Sequence, residues 1–577
     1  MKRRTDRKIK VRTILLILSL IGVLGCGEDY LDIKPTASFN ESVLNNQEGL
    51  DALLLAAYAA MDGTSGGSTT NGWRNDYTNW LYGEIASDNA LKGSSIIDQA
   101  AMNSIEDWTI IPDNGYLSPL WASVYEGVSR SNAVLRILPN AEGLTDENRK
   151  RIEGEARFLR GFFHHWGRRY FNRIPYIDEN TVDFRVPNDR DIFADIQADF
   201  QFAIDNLPDD PTDVGRAHVN AARASLAKLH LDDGDYSAAK PLLDAIINSG
   251  RYLLFPNYND NFIESNEQAV TATEKIFQIQ AIGQRIEDNY LDGRLVNGIA
   301  QLHGCCGFLQ PSQNLVNAHK TDVNGLPLLD TFNDVDLAND QGIETNEPFT
   351  PATDNLDPRL DFTVGRRGIP YLDFDIQQFS GLPGDKNIFP GKLFVVDQVT
   401  YGPYRAKKFL PTQADIDAGT TFLGVSNVNY SIHRYADILL LRAEVAVEEN
   451  DLATALMYVN MVRNRAKGGE VVRFEDGTPA ANYVVEPYTV FADQDFARKA
   501  VRHERRIELA LEGHRWYDLV RWGIAETVMN EYFATEDRPL LDGKSYRSDF
   551  LPIPGSEIDQ TRDDNGEPTL IQNPEYQ

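Results

Sequence analysis

FARKAVRHERRIELALEGHRWYDLVRWG, residues 496–523, reads as two helices joined at a glycine. The first, residues 496–512, is rich in strong helix formers. Phe496, Ala500, Ile507 and Leu511 fall on one side at helical spacing, and Leu509 and Ala510 widen the stripe. Gly513 stands where a helix C-cap belongs. His514 to Trp522 starts a second, shorter helix with Trp516, Leu519, Val520 and Trp522 as its apolar share. Glu504, Arg505, Arg506, Glu508, Glu512, Arg515, Asp518 and Arg521 crowd both helices, too many charges beside too much aromatic surface for a plain solvated face. Planar guanidinium groups can stack on Trp516 and Trp522 and pair with carboxylates in a fork. The leading reading is a structural ion-pair network that locks the two helices; the competing one is a catalytic site.

The run Glu504-Arg505-Arg506, Glu508-Leu509, Glu512-Gly513, Arg515, Asp518-Leu519, Arg521-Trp522-Gly523 resembles the C-terminal signature of the SusD/RagB family, outer-membrane nutrient-binding lipoproteins. Other segments extend the resemblance. Tyr30-Leu31-Asp32-Ile33-Lys34-Pro35 is similar to the family's opening, and GEARFLRGFFHHWGRRYFNRIPYI (154–177) to its N-terminal signature. PSQNLVNAHKTDVNGLP (311–327), Asp357-Pro358-Arg359-Leu360, Leu551-Pro552-Ile553-Pro554 and Asn573-Pro574 with Tyr576 complete it, so it runs from Cys26 almost to Gln577. It implies a glycan ligand and a SusC-like TonB-dependent β-barrel transporter as partner, over which the lipoprotein closes as a lid. RagB-like members of the family imply peptides or glycoproteins as the alternative cargo.

The N-terminus fits an exported lipoprotein. Lys2, Arg3, Arg4, Arg7, Lys8, Lys10 and Arg12 precede a short apolar run, residues 13–24, too short for an ordinary membrane span. The run ends Val23-Leu24-Gly25-Cys26, which looks like a lipoprotein box with Cys26 as the lipidation site; Leu24 is larger than usual there. Each methylene of an acyl chain on Cys26 would bury about 0.8 kcal/mol, so several chains anchor stably. Gly27-Glu28-Asp29 then sets acid beside the anchor, in keeping with an outer-membrane, surface-exposed location.

The 577 residues are 42% hydrophobic and 25% charged, a globular composition with a formal charge of −30. The first 25 residues carry +6, so their removal leaves −36. So acidic a surface disfavours nucleic acid, whose phosphates need Lys and Arg. It disfavours anionic ligands too, unless one basic pocket is hidden in it, and suits a neutral polysaccharide or oligosaccharide.

The predicted fold class is mostly α: a tetratricopeptide-like scaffold of helical hairpins with one large irregular, loop-rich lobe. Helices are predicted over 46–61, 119–138 and 146–171. LAKLHLDDGDYSAAKPLLDAI and RAEVAVEENDLATALMYVN share a pattern, Ala227, Asp235, Ala239 against Ala443, Asp451, Ala455. Each reads as helix, short turn at the Asp, helix, with small Ala where paired helices approach. The chain thus divides into a signal peptide (1–25), an N-terminal helical part (26–248), the irregular lobe (249–430) and a C-terminal helical part (431–577), with 26–577 as one compact unit.

Chemistry is sparse. HExxH, Walker and G-x-G-x-x-G patterns are missing, no cofactor, no metal and no catalytic residue is assigned, and the chain reads as a binder and not an enzyme. A secreted glycoside hydrolase is a third reading, but with 86 acidic residues a carboxylate pair is uninformative. His164 and His165 are neighbours on a helix and diverge by about 100°, so they cannot form an i, i+4 ligand pair. Asp334, Asp336 and Asp340 lack the Gly and Glu of a calcium loop and read as a solvated acidic loop. Cys305 and Cys306 are adjacent, either a vicinal disulfide or two free thiols.

Sugar rings offer C–H faces to aromatics and hydroxyls to amides and charges. Trp73 follows Gly72 in a Gly/Ser/Thr loop, with Arg74, Asn75 and Asp76 beside it as hydroxyl partners. Tyr290, Phe308 and Tyr371 sit among polar residues of the irregular lobe. These seven residues are the candidate ligand contacts.

Overall fold

The computed structural model describes residues 44–62, 78–210, 213–263, 274–280, 307–373, 387–410, 412–417 and 428–577. Its longer helices are α1 (Gln47–Ala59), α2 (Leu117–Ile137), α3 (Asp146–Phe171), α4 (Phe193–Asn206), α5 (Val219–Asp232), α6 (Tyr236–Asn248), α7 (Tyr435–Glu448), α8 (Leu452–Gly468), α9 (Gln494–Glu508), α10 (Arg515–Arg521) and α11 (Ala525–Thr535).

Two aspartates at matched points make the hairpins. Asp235 accepts a hydrogen bond from the Ala238 amide at 3.0 Å and caps α6; Asp451 accepts from the Thr454 amide at 3.1 Å and caps α8. One residue earlier the chain reverses in the left-handed region, at Gly234 (φ 72°) in the first hairpin and Asn450 (φ 59°) in the second. Ala227, Ala239, Ala443 and Ala455 are completely buried, which is where paired helices need a small side chain. The repeat read from the sequence is therefore a structural repeat of two capped hairpins, α5–α6 and α7–α8.

From α1 to α9 each helix packs on the next one in the chain. This holds even across residues 249–434, because α7 returns to pack on α6. The irregular lobe is thus an excursion from a continuous helical stack. α3 has its predicted bounds; Thr145 caps its start, and it is sandwiched between α2 and α4. One apolar cluster joins α5–α8 and α9 through Ala239, Leu243, Ile438, Leu441, Val459 and Ala500, and a larger one holds α1–α4 and the C-terminal segments.

Short strands pin the excursion to the stack. β1 (Ala90–Gly93) pairs antiparallel with β3 (Phe308–Pro311), and β2 (Lys275–Ile279) with β7 (Tyr430–Arg434), which runs straight into α7. β4 (Asn355–Leu356) pairs with β8 (Asn482–Tyr483), and β5 (Val364–Gly365) with β6 (Arg405–Ala406). No helix of the described residues is long and apolar enough to cross a membrane.

The signature stretch departs from the sequence reading at one point. α9 ends at Glu508, not near Glu512, and residues 509–512 unwind, with Leu511 at φ 62°. The unwound turn lets the Glu512 carboxylate reach Arg434 and Lys408 while its carbonyl accepts from the Tyr430 hydroxyl at 2.6 Å. Interior ion pairs have overridden helix propensity.

Candidate functional site

The charges of α9 and α10 face inward. Arg359 lies 2.8 Å from Glu504, Glu508 and Asp357. Arg463 meets Glu504 at 2.9 Å, and Arg465 meets Glu508 at 2.5 Å. Arg434 holds Glu508 at 2.6 Å, Glu512 at 2.7 Å and Glu274 at 3.1 Å. On the other side Arg505 bridges Asp437 and Asp518, Arg521 bridges Asp518 and Glu444, and Arg506 and Arg515 share Asp88. All of these carboxylates are buried. Burial pushes Asp88 and Asp357 up, but Arg506 with Arg515, and Arg359 with Arg463, outweigh it and hold each acid at about 2. The network ties α7, α8, α9 and α10 to the irregular lobe, and its interior position closes it to a ligand. Trp522 lies under the guanidinium groups of Arg502 and Arg521, at 4.8 and 5.0 Å. Trp516 instead packs on Trp108 and Tyr517 and gives its N–H to the Tyr546 hydroxyl.

His164 and His165 have separate partners, as their 100° divergence requires. His164 joins the Arg160 carbonyl and the Ile177 amide; His165 lies 2.8 Å from Asp232. The acidic loop reading fails for Asp340, which is buried and 3.8 Å from Arg367.

Two of the seven candidate contacts are interior. Phe308 lies in β3, buried against Trp80 with ring centres 6.2 Å apart. Tyr371 is completely buried in a small aromatic core with Phe389 and Phe394, and its hydroxyl donates to the Ala406 carbonyl at 2.7 Å. Neither ring offers a face to a ligand in this conformation, and both are corrected to core residues. For Phe308 the cause is that its polar neighbours are also buried. Gln310 spends its amide on the carbonyls of Tyr401, Gly402 and Tyr404, and Ser312 donates to the Asp88 carbonyl. A loop-built interior must satisfy its backbone groups with side chains, so polar sequence there does not mean surface.

Trp73, Arg74, Asn75, Asp76 and Tyr290 lie outside the described residues, as do Cys26, Cys305 and Cys306. The described residues bordering 63–77, 281–306 and 418–427 are neighbours, however. The Tyr430 hydroxyl bonds to the Thr78 carbonyl at 3.0 Å, and Asn429 reaches Gln280 at 3.3 Å. Gly307 accepts from the Ser94 amide at 2.9 Å. A π-helical turn, Trp80–Ile85, sets Gly83 directly against Gly513: a Cβ on Gly83 would lie 2.3 Å from the Gly513 oxygen.

A cleft of about 320 Å³ opens in the irregular lobe. Phe362, Leu372 and Leu410 supply apolar wall, and Asn259, Asp373 and Asn387 supply polar rim. Lys407 and Arg473 also line it. Lys407 is buried, which brings its ammonium down to about 8 although the Asp361 charge opposes the shift. Sequence reasoning missed this cleft, since a Lys-Lys pair at 407–408 in a loop reads as solvated surface. The arrangement has walls and donors for a small polar ligand.

The chain was compared with known proteins. Residues 273–576 match the model described as SusD family, and residues 29–231 match one described as starch-binding, associating with outer membrane. SusD-like protein P2 of Formosa agariphila is 27% identical over 573 residues, covering 96% of this chain and 97% of the relative. The starch-binding protein SusD of Bacteroides thetaiotaomicron is 24% identical, covering 74% of each. The structure of surface glycan-binding protein A from Bacteroides thetaiotaomicron with laminarihexaose aligns with a TM-score of 0.63 at 21% identity, covering 91% of this chain and 99% of that one.

Proposed function

This chain belongs to the SusD/RagB family, and on that premise we propose that it captures a polysaccharide or oligosaccharide and delivers it to a SusC-like TonB-dependent outer-membrane transporter. The observation that carries the reading is the match of residues 29–231 to a model described as starch-binding and associating with outer membrane. A laminarihexaose complex of the same fold supports the ligand class. In this reading Cys26 carries the lipid anchor and holds the protein on the outer membrane. Cys26→Ala is expected to move it from the membrane fraction to the soluble one; unchanged fractionation would remove the anchor from the account.

The ligand contacts in this reading are Trp73 and Tyr290 as ring platforms, with Arg74, Asn75 and Asp76 as hydroxyl partners. Support comes from the borders of their two segments, Thr78 for one and Gln280 for the other, which meet the start of β7 through Tyr430 and its neighbour Asn429. Trp73→Ala, titrated by calorimetry against the best-bound of a set of soluble glucans, is expected to lose about 1–3 kcal/mol of affinity, by analogy with base stacking. Full affinity in a folded Trp73→Ala protein would exclude that ring. The reading is of binding without turnover, so the titrated glycan is expected to be recovered intact.

A further inference from the structure

The cleft in the irregular lobe holds a buried cation that forms no ion pair among the described residues. Lys407 is 3% exposed. Its ammonium donates to two main-chain carbonyls, those of Asp361 and Pro370. An ammonium has three donors, and the one these carbonyls leave has the Tyr371 ring, 5.7 Å away, as its weaker partner beside the cleft. Among the described residues no carboxylate forms an ion pair with it. The Asp361 carboxylate, close in sequence to one of those carbonyls, is committed to both forks of Arg366 at 2.8 Å and to the Tyr483 hydroxyl at 2.7 Å. The contrast with its neighbour is direct: Lys408, equally buried, meets Glu512 at 2.7 Å. Burying a charge without a counter-charge is unfavourable, and a protein with 86 acidic residues has no shortage of carboxylates to supply one.

Two further features agree. Arg473, on the same cleft, gives one nitrogen to the Gly477 carbonyl at 2.9 Å and is otherwise exposed. Among the described residues of the lining the acid is Asp373, which accepts from the Gln413 amide, so these carry two cations against one anion in a chain whose net charge is −30. Leu372, on the cleft wall, is held at φ 57°, a conformation a bulky residue keeps only where its surroundings impose it.

We propose that this cleft seats a sugar ring bearing an oxyanion, a carboxylate or a sulfate ester, with the oxyanion on Lys407 and Arg473 and the ring against the apolar wall. The inference rests on the glycan-capture reading and narrows its ligand to acidic glycans. Carboxylate and sulfate share the chemistry that matters here, oxygens that accept charge-assisted hydrogen bonds.

The test titrates the intact chain with four probes: oligogalacturonate, the same oligosaccharide after carboxyl reduction, κ-carrageenan oligosaccharide and maltohexaose. The expected result is at least tenfold tighter binding of one acidic probe than of the neutral ones. The carboxylate and sulfate probes decide between the two sources. Arg473→Gln, at an exposed position, is expected to reduce that preference severalfold, and Lys407→Met to abolish it in protein with an unchanged circular dichroism spectrum. Neutral probes bound as tightly as acidic ones, or an acidic preference untouched by Arg473→Gln and by folded Lys407→Met, would overturn this inference and leave glycan capture standing. Binding of none of the four would count against both.

Discussion

Arg434 stands among three buried glutamates, Glu274, Glu508 and Glu512, and is the hub of the interior charge network. Removing it takes a cation from three buried carboxylates at once, leaving Arg359, Arg465 and Lys408 to hold them. Arg434→Ala is therefore expected to lower stability by about 3–5 kcal/mol, read as the midpoint shift in urea. Arg506→Ala tests the same idea with a smaller answer, because it takes a cation from one buried carboxylate, Asp88, which keeps Arg515 at 2.7 Å. An equal loss in both variants would argue against partner number as the deciding quantity. Gly513 is a different kind of constraint. Its φ is 75° and a Cβ there would lie 2.1 Å from the Thr78 oxygen, so any side chain would pry the signature turn away from the residues that follow 63–77.

At the scale of elements, the two hairpins offer a matched pair of measurements. Asp235→Ala and Asp451→Ala each remove one cap from an otherwise intact helix, and each is expected to cost about 0.5–2 kcal/mol by thermal melting. Similar values would fit two copies of one unit; a negligible loss at either site would mean its hairpin is held by packing alone. The hairpins were legible in the sequence because small Ala, turn Asp and a residue tolerant of positive φ are local requirements, visible at fixed spacing. α3 was legible for the same reason, with Thr145 at its start and apolar positions recurring to Phe171. The irregular lobe was not. Phe308 and Tyr371 were placed outside on the strength of polar neighbours, and those of Phe308, Gln310 and Ser312, turned out to be the hydrogen-bonding partners of a loop-built interior. Lys407 was passed over for a related reason: nothing local says that a lysine in a loop is buried. The turn at residues 509–512 was hidden because its cause, Arg434 and Lys408, lies many residues away.

For the whole molecule, acid is the revealing stress. His164, His503 and His514 are pushed by burial to about 3, and His319 to about 4, from an ordinary 6.5. The unfolded chain takes up these protons first, so the stability they represent is present above pH 6.5 and is lost as pH falls toward 3. Glu84, at about 7, and Glu106, at about 8, are raised by burial and run the other way. Their contribution is present below pH 4.5 and is lost as pH rises toward those values. Four histidines against two glutamates give a net loss on acidification from pH 6.5, steeper below 4.5 where the glutamates no longer offset it. Asp88 and Asp357, held at about 2, add to the loss below pH 4. Melting temperatures are expected to fall between pH 7 and 4; a flat profile would contradict the buried neutral state of the histidines.

The return of α7 to α6 after residues 249–434 also sets a schedule for the growing chain. α1 to α6 are contiguous in sequence and pack nearest neighbour on nearest neighbour, so they can assemble as they emerge. Leu243 and Ile246 of α6 share their apolar cluster with Ile438 and Leu441, so that cluster stays incomplete until α7 appears. At 5–20 residues per second that interval lasts on the order of 10–40 s. A nascent molecule thus holds an incomplete apolar cluster for most of the time it takes to make the lobe, and it is there that premature association between chains would begin.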